Sequence, residues 1–257
     1  MTINPTENPV QADETLDECG KGSLKIFQKK RGYRFSLDPF ILFDFVRVKN
    51  GHRLLDLGTG SGILALLLAQ AKPRSRLTAL ELSPVLLDLA RRNALINGLE
   101  ERIAFIKGDV CQIPNFLKKE TFDGVVTNPP YRPLNSGRIN PDPQKALARH
   151  EIKLTLPQMV DSVNHCLKPG GRWFVIYPAW RMVSLLSAAR QQALEPKRLR
   201  VVHSFADKEA EWVLLEAVKG SREALKILPP LIVYHSPGVY SPAIQKLLSG
   251  DELAGKG

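Results

Sequence analysis

The stretch that most constrains the fold is Arg53 to Leu57, followed by Gly58, Thr59, Gly60, Ser61 and Gly62 and then by the apolar run Ile63 to Ala71. A short run of buried-strand character, a glycine loop and a run of helical length make one strand–turn–helix unit. Glycines at such a junction allow close backbone approach and expose the N–H groups of the helix start. The spacing also excludes a reading. G-x-G-x-G behind Asp56 differs from the G-x-G-x-x-G of dinucleotide sites, so a nicotinamide or flavin cofactor is disfavoured.

The unit then recurs. Leu77 to Leu80 reads as a second strand ending at Glu81; Ser83 and Pro84 start a helix over Val85 to Ile96, which Asn97 and Gly98 close. A third strand, Ile103 to Lys107, leads to Asp109. A carboxylate after the second strand can accept from both ribose hydroxyls of a nucleoside, and one after the third can accept from an adenine amino group. A glycine loop, an acid and a second acid, in that order, suit an adenosine-containing ligand.

A fourth strand, Phe122 to Thr127, stops at Asn128, Pro129, Pro130 and Tyr131. Two consecutive prolines stiffen the backbone and remove two donors, leaving local carbonyls free to face outward. The Asn128 side-chain oxygen and the Pro129 carbonyl can accept both hydrogens of one planar NH2 group, while Tyr131 offers a ring face to a flat substrate. An NH2 on an aromatic ring or an amide is a weak nucleophile because its lone pair is delocalised. Two fixed acceptors favour a more pyramidal nitrogen and hold it towards an electrophile.

The remainder completes an α/β fold. Arg132 to Arg149 is a long basic loop, including Arg138, and is a candidate lid or substrate grip. A helix over Leu156 to Leu167, a stop at Pro169-Gly170-Gly171, a strand over Arg172 to Ile176, a helix over Met182 to Leu194 and strands over Leu199 to Phe205 and Trp212 to Val218 follow. The expected architecture is a seven-stranded, mostly parallel, doubly wound sheet with an antiparallel final hairpin. Residues 1–18 read as a flexible acidic tail, 19–50 as a strand and helix extension, 51–225 as the main domain and 226–257 as a surface-wrapping tail.

Charge bears on the partner. The net charge is +10, yet the first 20 residues hold five acids and no Lys or Arg, leaving 36 basic against 21 acidic side chains in the rest. A body this basic favours a polyanion. Lys29, Lys30, Arg31 and Arg34, interleaved with Tyr33 and Phe35, suit a nucleic-acid backbone and its bases. Cys19, Cys111 and Cys166 form no C-x-x-C, which argues for a reducing compartment and against a disulfide framework or a zinc site. With no signal peptide and no apolar run long enough to span a bilayer, a cytoplasmic location is expected.

Asp56 to Gly62, Glu81, Asp109 and Asn128 to Tyr131 together resemble the S-adenosylmethionine-dependent methyltransferases of the seven-stranded class, in the branch whose N-P-P-Y motif methylates planar amino groups. That branch includes adenine-N6 enzymes and glutamine-N5 enzymes acting on peptide release factors. Gln28 to Leu42, Ser136 to Glu151 and Trp212 to Gly220 are similar to the bacterial family that methylates the adenine beside the anticodon of a valine tRNA. The resemblance implies S-adenosylmethionine held by Asp56, Gly58, Gly60, Gly62, Glu81, Asp109 and Asn128. It implies catalysis by Asn128, Pro129, Pro130 and Tyr131, without a metal. It further implies tRNA contacts from basic surface, including Lys29, Lys30, Arg31, Arg34, Arg132, Arg138 and Arg149, and a monomer or weak dimer. Pro39 to Phe43 depart from it, being bulkier than the residues that family carries there.

Overall fold

The computed structural model describes residues 10–19, 24–31, 36–129 and 154–249. An antiparallel hairpin of β1 (Glu14–Cys19) and β2 (Leu24–Lys29) precedes α1 (Asp38–Phe45). Then strands and helices alternate: β3 (Arg53–Leu57), α2 (Ile63–Ala71), β4 (Arg76–Glu81), α3 (Pro84–Ile96), β5 (Ile103–Lys107) and β6 (Phe122–Thr127). After these come α4 (Leu156–Cys166), β7 (Leu167–Pro178), α5 (Met182–Gln191), β8 (Leu194–His203) and β9 (Ala210–Lys219). The chain continues through β10 (Lys226–Ile227), β11 (Leu231–Ile232), β12 (Tyr234–Ser236), β13 (Val239–Tyr240) and α6 (Pro242–Leu248).

The sheet runs β10-β8-β9-β7-β6-β3-β4-β5, with β11 also on β8. Strands β3 to β7 pair in parallel, and β9 inserts antiparallel between β7 and β8. These are the seven expected strands with their antiparallel end, extended by the two short strands along β8. Both faces are buried, as a doubly wound sheet requires. Leu54, Val126, Phe174 and Ile176 pack with α1 and α2, while Leu55, Val125, Trp173 and Val175 pack with α4 and α5. The bulky Phe40, Ile41, Leu42, Phe43 and Phe45 of α1 are all buried in the first of these layers. Among the described residues no helix is long and apolar enough to cross a membrane.

Several expectations need correction. Glu14 to Glu18 belong to β1 rather than to a flexible tail, because Glu14 is buried against Arg92 at 2.7 Å, a partner 78 residues away. Pro169-Gly170-Gly171 does not separate helix from strand. Instead β7 begins at Leu167 and passes through those residues, with a register shift opposite Phe122 to Gly124 and Gly170 at φ +75°. The segment after 226 does more than wrap the surface: Leu231, Val233 and Ile244 join the core beside α1 and α2.

The extension before residue 50 is fastened to α3 by two asparagines. Asn97 exchanges hydrogen bonds with the Lys25 backbone, and Asn93 does the same with Phe27. Because Asn93 also donates to the Ser61 carbonyl at 2.9 Å, the hairpin, α3 and the glycine loop meet on one buried side chain.

Candidate active site

Strand register sets which residues share the carboxyl edge. Leu57 pairs with Leu80 on one side and with Thr127 on the other. The next residues, Gly58, Glu81 and Asn128, therefore leave adjacent strand ends, with neighbouring strands about 4.8 Å apart. Glu81 pairs with Lys107, which brings Gly108 and Asp109 to the same edge. The strand order reverses at β3, whose neighbours are β4 and β6, and ligands of open α/β sheets bind at such a switch point.

The glycine loop is held from three directions. Gly58 and Thr59 both donate backbone N–H to the Leu80 carbonyl, at 2.9 and 3.0 Å, and Gly62 donates to Thr59 at 2.9 Å. Gly58, Gly60 and Gly62 all have positive φ, at +74°, +58° and +86°, a region a side chain penalises. At Gly62 a Cβ would also stand 3.0 Å from the Ala90 Cβ of α3, so the absence of a side chain sets how closely the loop approaches that helix. Glu81 is buried and uses each oxygen once, Oε2 accepting from Gly60 N–H and Oε1 from Ser83 N–H, both at 2.9 Å.

Asp56 lies beneath the loop rather than at its mouth. Its carboxylate is 2% exposed and accepts the Thr59 hydroxyl at 2.6 Å. Gly62, the N-cap of α2, has no side chain to satisfy the first turn of that helix, and the Ala65 backbone N–H there favours the charged form of Asp56. Burial pushes its carboxyl up to about 7, opposed by the Thr59 bond and reinforced by the Glu81 charge. Thr59 and Asn93 were not singled out from sequence. A polar residue on the otherwise apolar stripe of Leu87, Ala90 and Ala94 in α3 was the signal available for Asn93.

On the acceptor side, Trp173 donates its indole N–H to the Thr127 hydroxyl at 2.9 Å, which fixes the end of β6. Asn128 follows, half-buried, and Pro129 is buried. Pro130, Tyr131, Arg132, Arg138 and Arg149 lie outside the described residues, as does Arg34. Asp109 is exposed at the same edge, with one oxygen accepting Cys111 N–H at 2.9 Å. Lys29 and Lys30 stand apart on the hairpin. Lys29 pairs with Asp13 and Glu14, at 3.1 and 3.0 Å, while exposed Lys30 donates to the Ala12 carbonyl and Arg31 is exposed.

The edge can accommodate an adenosine-bearing group. A carboxylate oxygen has two lone-pair sites, so Glu81 can still accept from a diol, and Asp109 retains an unused oxygen for an amino group. A Cβ at Gly58 would meet nothing within 4 Å, so there is open space where the loop faces outward. The fold and this edge define a class: a Rossmann-like α/β protein with its ligand crevice at the β3 switch point.

A family model described as a methyltransferase domain matches residues 48–227. A Porphyromonas gingivalis protein named tRNA1(Val) (adenine(37)-N6)-methyltransferase is 32% identical over 197 residues, 75% of this chain and 76% of its own length. An Aeromonas hydrophila protein of the same name is 30% identical over 213 residues, 82% of this chain and 87% of its own. The crystal structure of a predicted O-methyltransferase from Agrobacterium tumefaciens shares the fold, with a TM-score of 0.67 at 22% identity over 82% of this chain and 95% of that one. The chain therefore belongs to the S-adenosylmethionine-dependent methyltransferase family and is a relative of the proteins carrying that tRNA methyltransferase name.

Proposed function

We propose that the protein transfers a methyl group from S-adenosylmethionine to the N6 amino group of an adenine in tRNA, in the anticodon loop next to the anticodon. The observation that carries this reading is the register placing Asn128 beside Gly58: the amine acceptors and the cofactor loop leave neighbouring strands at one edge. The relatives' name supplies the substrate. Bound S-adenosylmethionine supplies a methyl already activated on a sulfonium.

The chain's own residues position the reactants. Glu81 takes the ribose hydroxyls, Asp109 the cofactor's adenine amino group, and the Gly58, Gly60 and Gly62 backbone lies against the rest of the cofactor. Asn128 Oδ1 and the Pro129 carbonyl accept the two hydrogens of the target amine, and Tyr131 stacks on its ring. Holding the amine this way lowers the barrier by orientation rather than by a strong base. The adenine must leave its stack, which costs a few kcal/mol in a duplex and less in a loop. Basic residues including Lys30, Arg31, Arg34, Arg132, Arg138 and Arg149 contact the phosphates. The working unit is a cytoplasmic monomer or weak dimer; all three cysteines are free thiols, which suits a reducing compartment.

The test is mass spectrometry of nucleosides from a tRNA pool treated with purified protein and cofactor, with a parallel arm containing release factors. N6-methyladenosine in the tRNA is the expected product. Methylated glutamine in the release factor and unmodified tRNA would replace this reading with protein methylation.

A further inference from the structure

Strand β7 lies parallel beside β6, with Thr127 opposite Val175, so Ile176 and Tyr177 run alongside Asn128 and Pro129. Just past the end of β7, a single 3-10 turn (Ala179–Arg181) turns Trp180 into solvent at 71% exposure. Trp173, by contrast, is completely buried. Arg181 sits between two rings, its guanidinium carbon 5.7 Å from the Trp180 centroid and 5.3 Å from that of Tyr177. Such an arrangement restrains the indole and adds positive charge. The stretch between Asp161 and Glu195 carries Lys168, Arg172, Arg181 and Arg190 and no acid, while the antiparallel pairing of Pro178 with Trp212 brings exposed Glu211 of β9 alongside the turn.

A large exposed ring beside a cation, close to where a base must be held, meets the requirements of a nucleotide-stacking platform. A buried packing role would hide the ring. We infer that Trp180, braced by Arg181, stacks an unpaired nucleotide flanking the target adenine. This inference rests on the RNA reading above and adds a recognition element to it. Trp180 positions the substrate and takes no part in the chemistry.

The test measures binding of a labelled anticodon stem-loop, without turnover, to wild type, Trp180→Ala and Trp180→Tyr over a range of salt concentrations. Trp180→Ala should weaken binding on the order of tenfold. The slope of log affinity against log salt should stay unchanged, because stacking releases no counterions. Trp180→Tyr should recover most of the loss. Cofactor affinity and the thermal midpoint should match wild type in both variants, which excludes a folding defect. Stem-loop affinity within twofold of wild type for Trp180→Ala, or equal losses in both variants, overturns the platform. If wild type methylates no tRNA, the adenine reading itself fails; if it methylates tRNA while Trp180→Ala binds normally, only the platform fails.

Discussion

Two buried carboxylates, Glu14 on the N-terminal hairpin and Asp56 under the glycine loop, are driven in opposite directions by their surroundings. Burial alone would raise Glu14, but bonds from Arg92, Lys29 and the Gln11 N–H outweigh it and hold the carboxyl down at about 2. Arg92 approaches in a two-pronged manner, at 2.7 and 2.9 Å. Asp56 has the Thr59 hydroxyl instead, with the Glu81 charge nearby, and burial carries it up to about 7. Glu14 is a fully paired structural clamp joining β1, β2 and α3. Asp56 is a buried support under the glycine loop, and perturbed carboxyls of this kind cluster at functional sites.

Breaking the clamp should have the larger effect. Glu14→Gln leaves Arg92 and Lys29 facing a neutral amide and should cost about 3 kcal/mol in urea unfolding. The hairpin should lose hydrogen-exchange protection before the sheet does. Gly62→Ala comes next: its φ and the 3.0 Å approach to Ala90 should cost about 2 kcal/mol and weaken cofactor binding measured by calorimetry.

Acid and base should separate the two carboxylates by sign. Glu14 has a depressed folded value, so its contribution is present above about 4.5 and is lost as pH falls towards 2. Asp56 has a raised value, so the folded state holds an extra proton between about 4 and 7 and stability declines as pH rises through that window. Asp56→Asn should flatten that decline and raise stability at pH 8 by about 1 kcal/mol. An unchanged pH profile in that variant would remove the contrast between the two sites. The smallest effect expected is that of Lys29→Ala on tRNA affinity, less than about twofold in a filter-binding assay, because Lys29 is already committed to Glu14.

The same contrast explains what was legible in the sequence. Strand ends are read locally: a glycine needing positive φ, an acid at the last position of a strand and a proline pair that stops one each declare themselves within a few residues, so Gly58, Gly60, Gly62, Glu81 and Asn128 could be placed on one edge. The clamp could not be read because its halves are 78 residues apart. An acidic N-terminus looks solvated until Arg92 is seen to neutralise it. Distance also hid Asn93, which joins Phe27 and Ser61, and the C-terminal residues Leu231, Val233 and Ile244, which enter the core from a segment read as a surface-wrapping tail. The pairing of Lys29 with Asp13 and Glu14 was hidden for the same reason: a basic run shows charge, not which charges are already paired.

The decisive variant is Asn128→Ala, assayed for methyl transfer to tRNA and, separately, for S-adenosylmethionine binding by calorimetry. Loss of the amide oxygen should lower kcat about a hundredfold or more while the cofactor dissociation constant stays within about threefold of wild type. Turnover near wild type would mean that the amine is not held at the end of β6, and the link between that strand end and the glycine loop would have no role in the reaction.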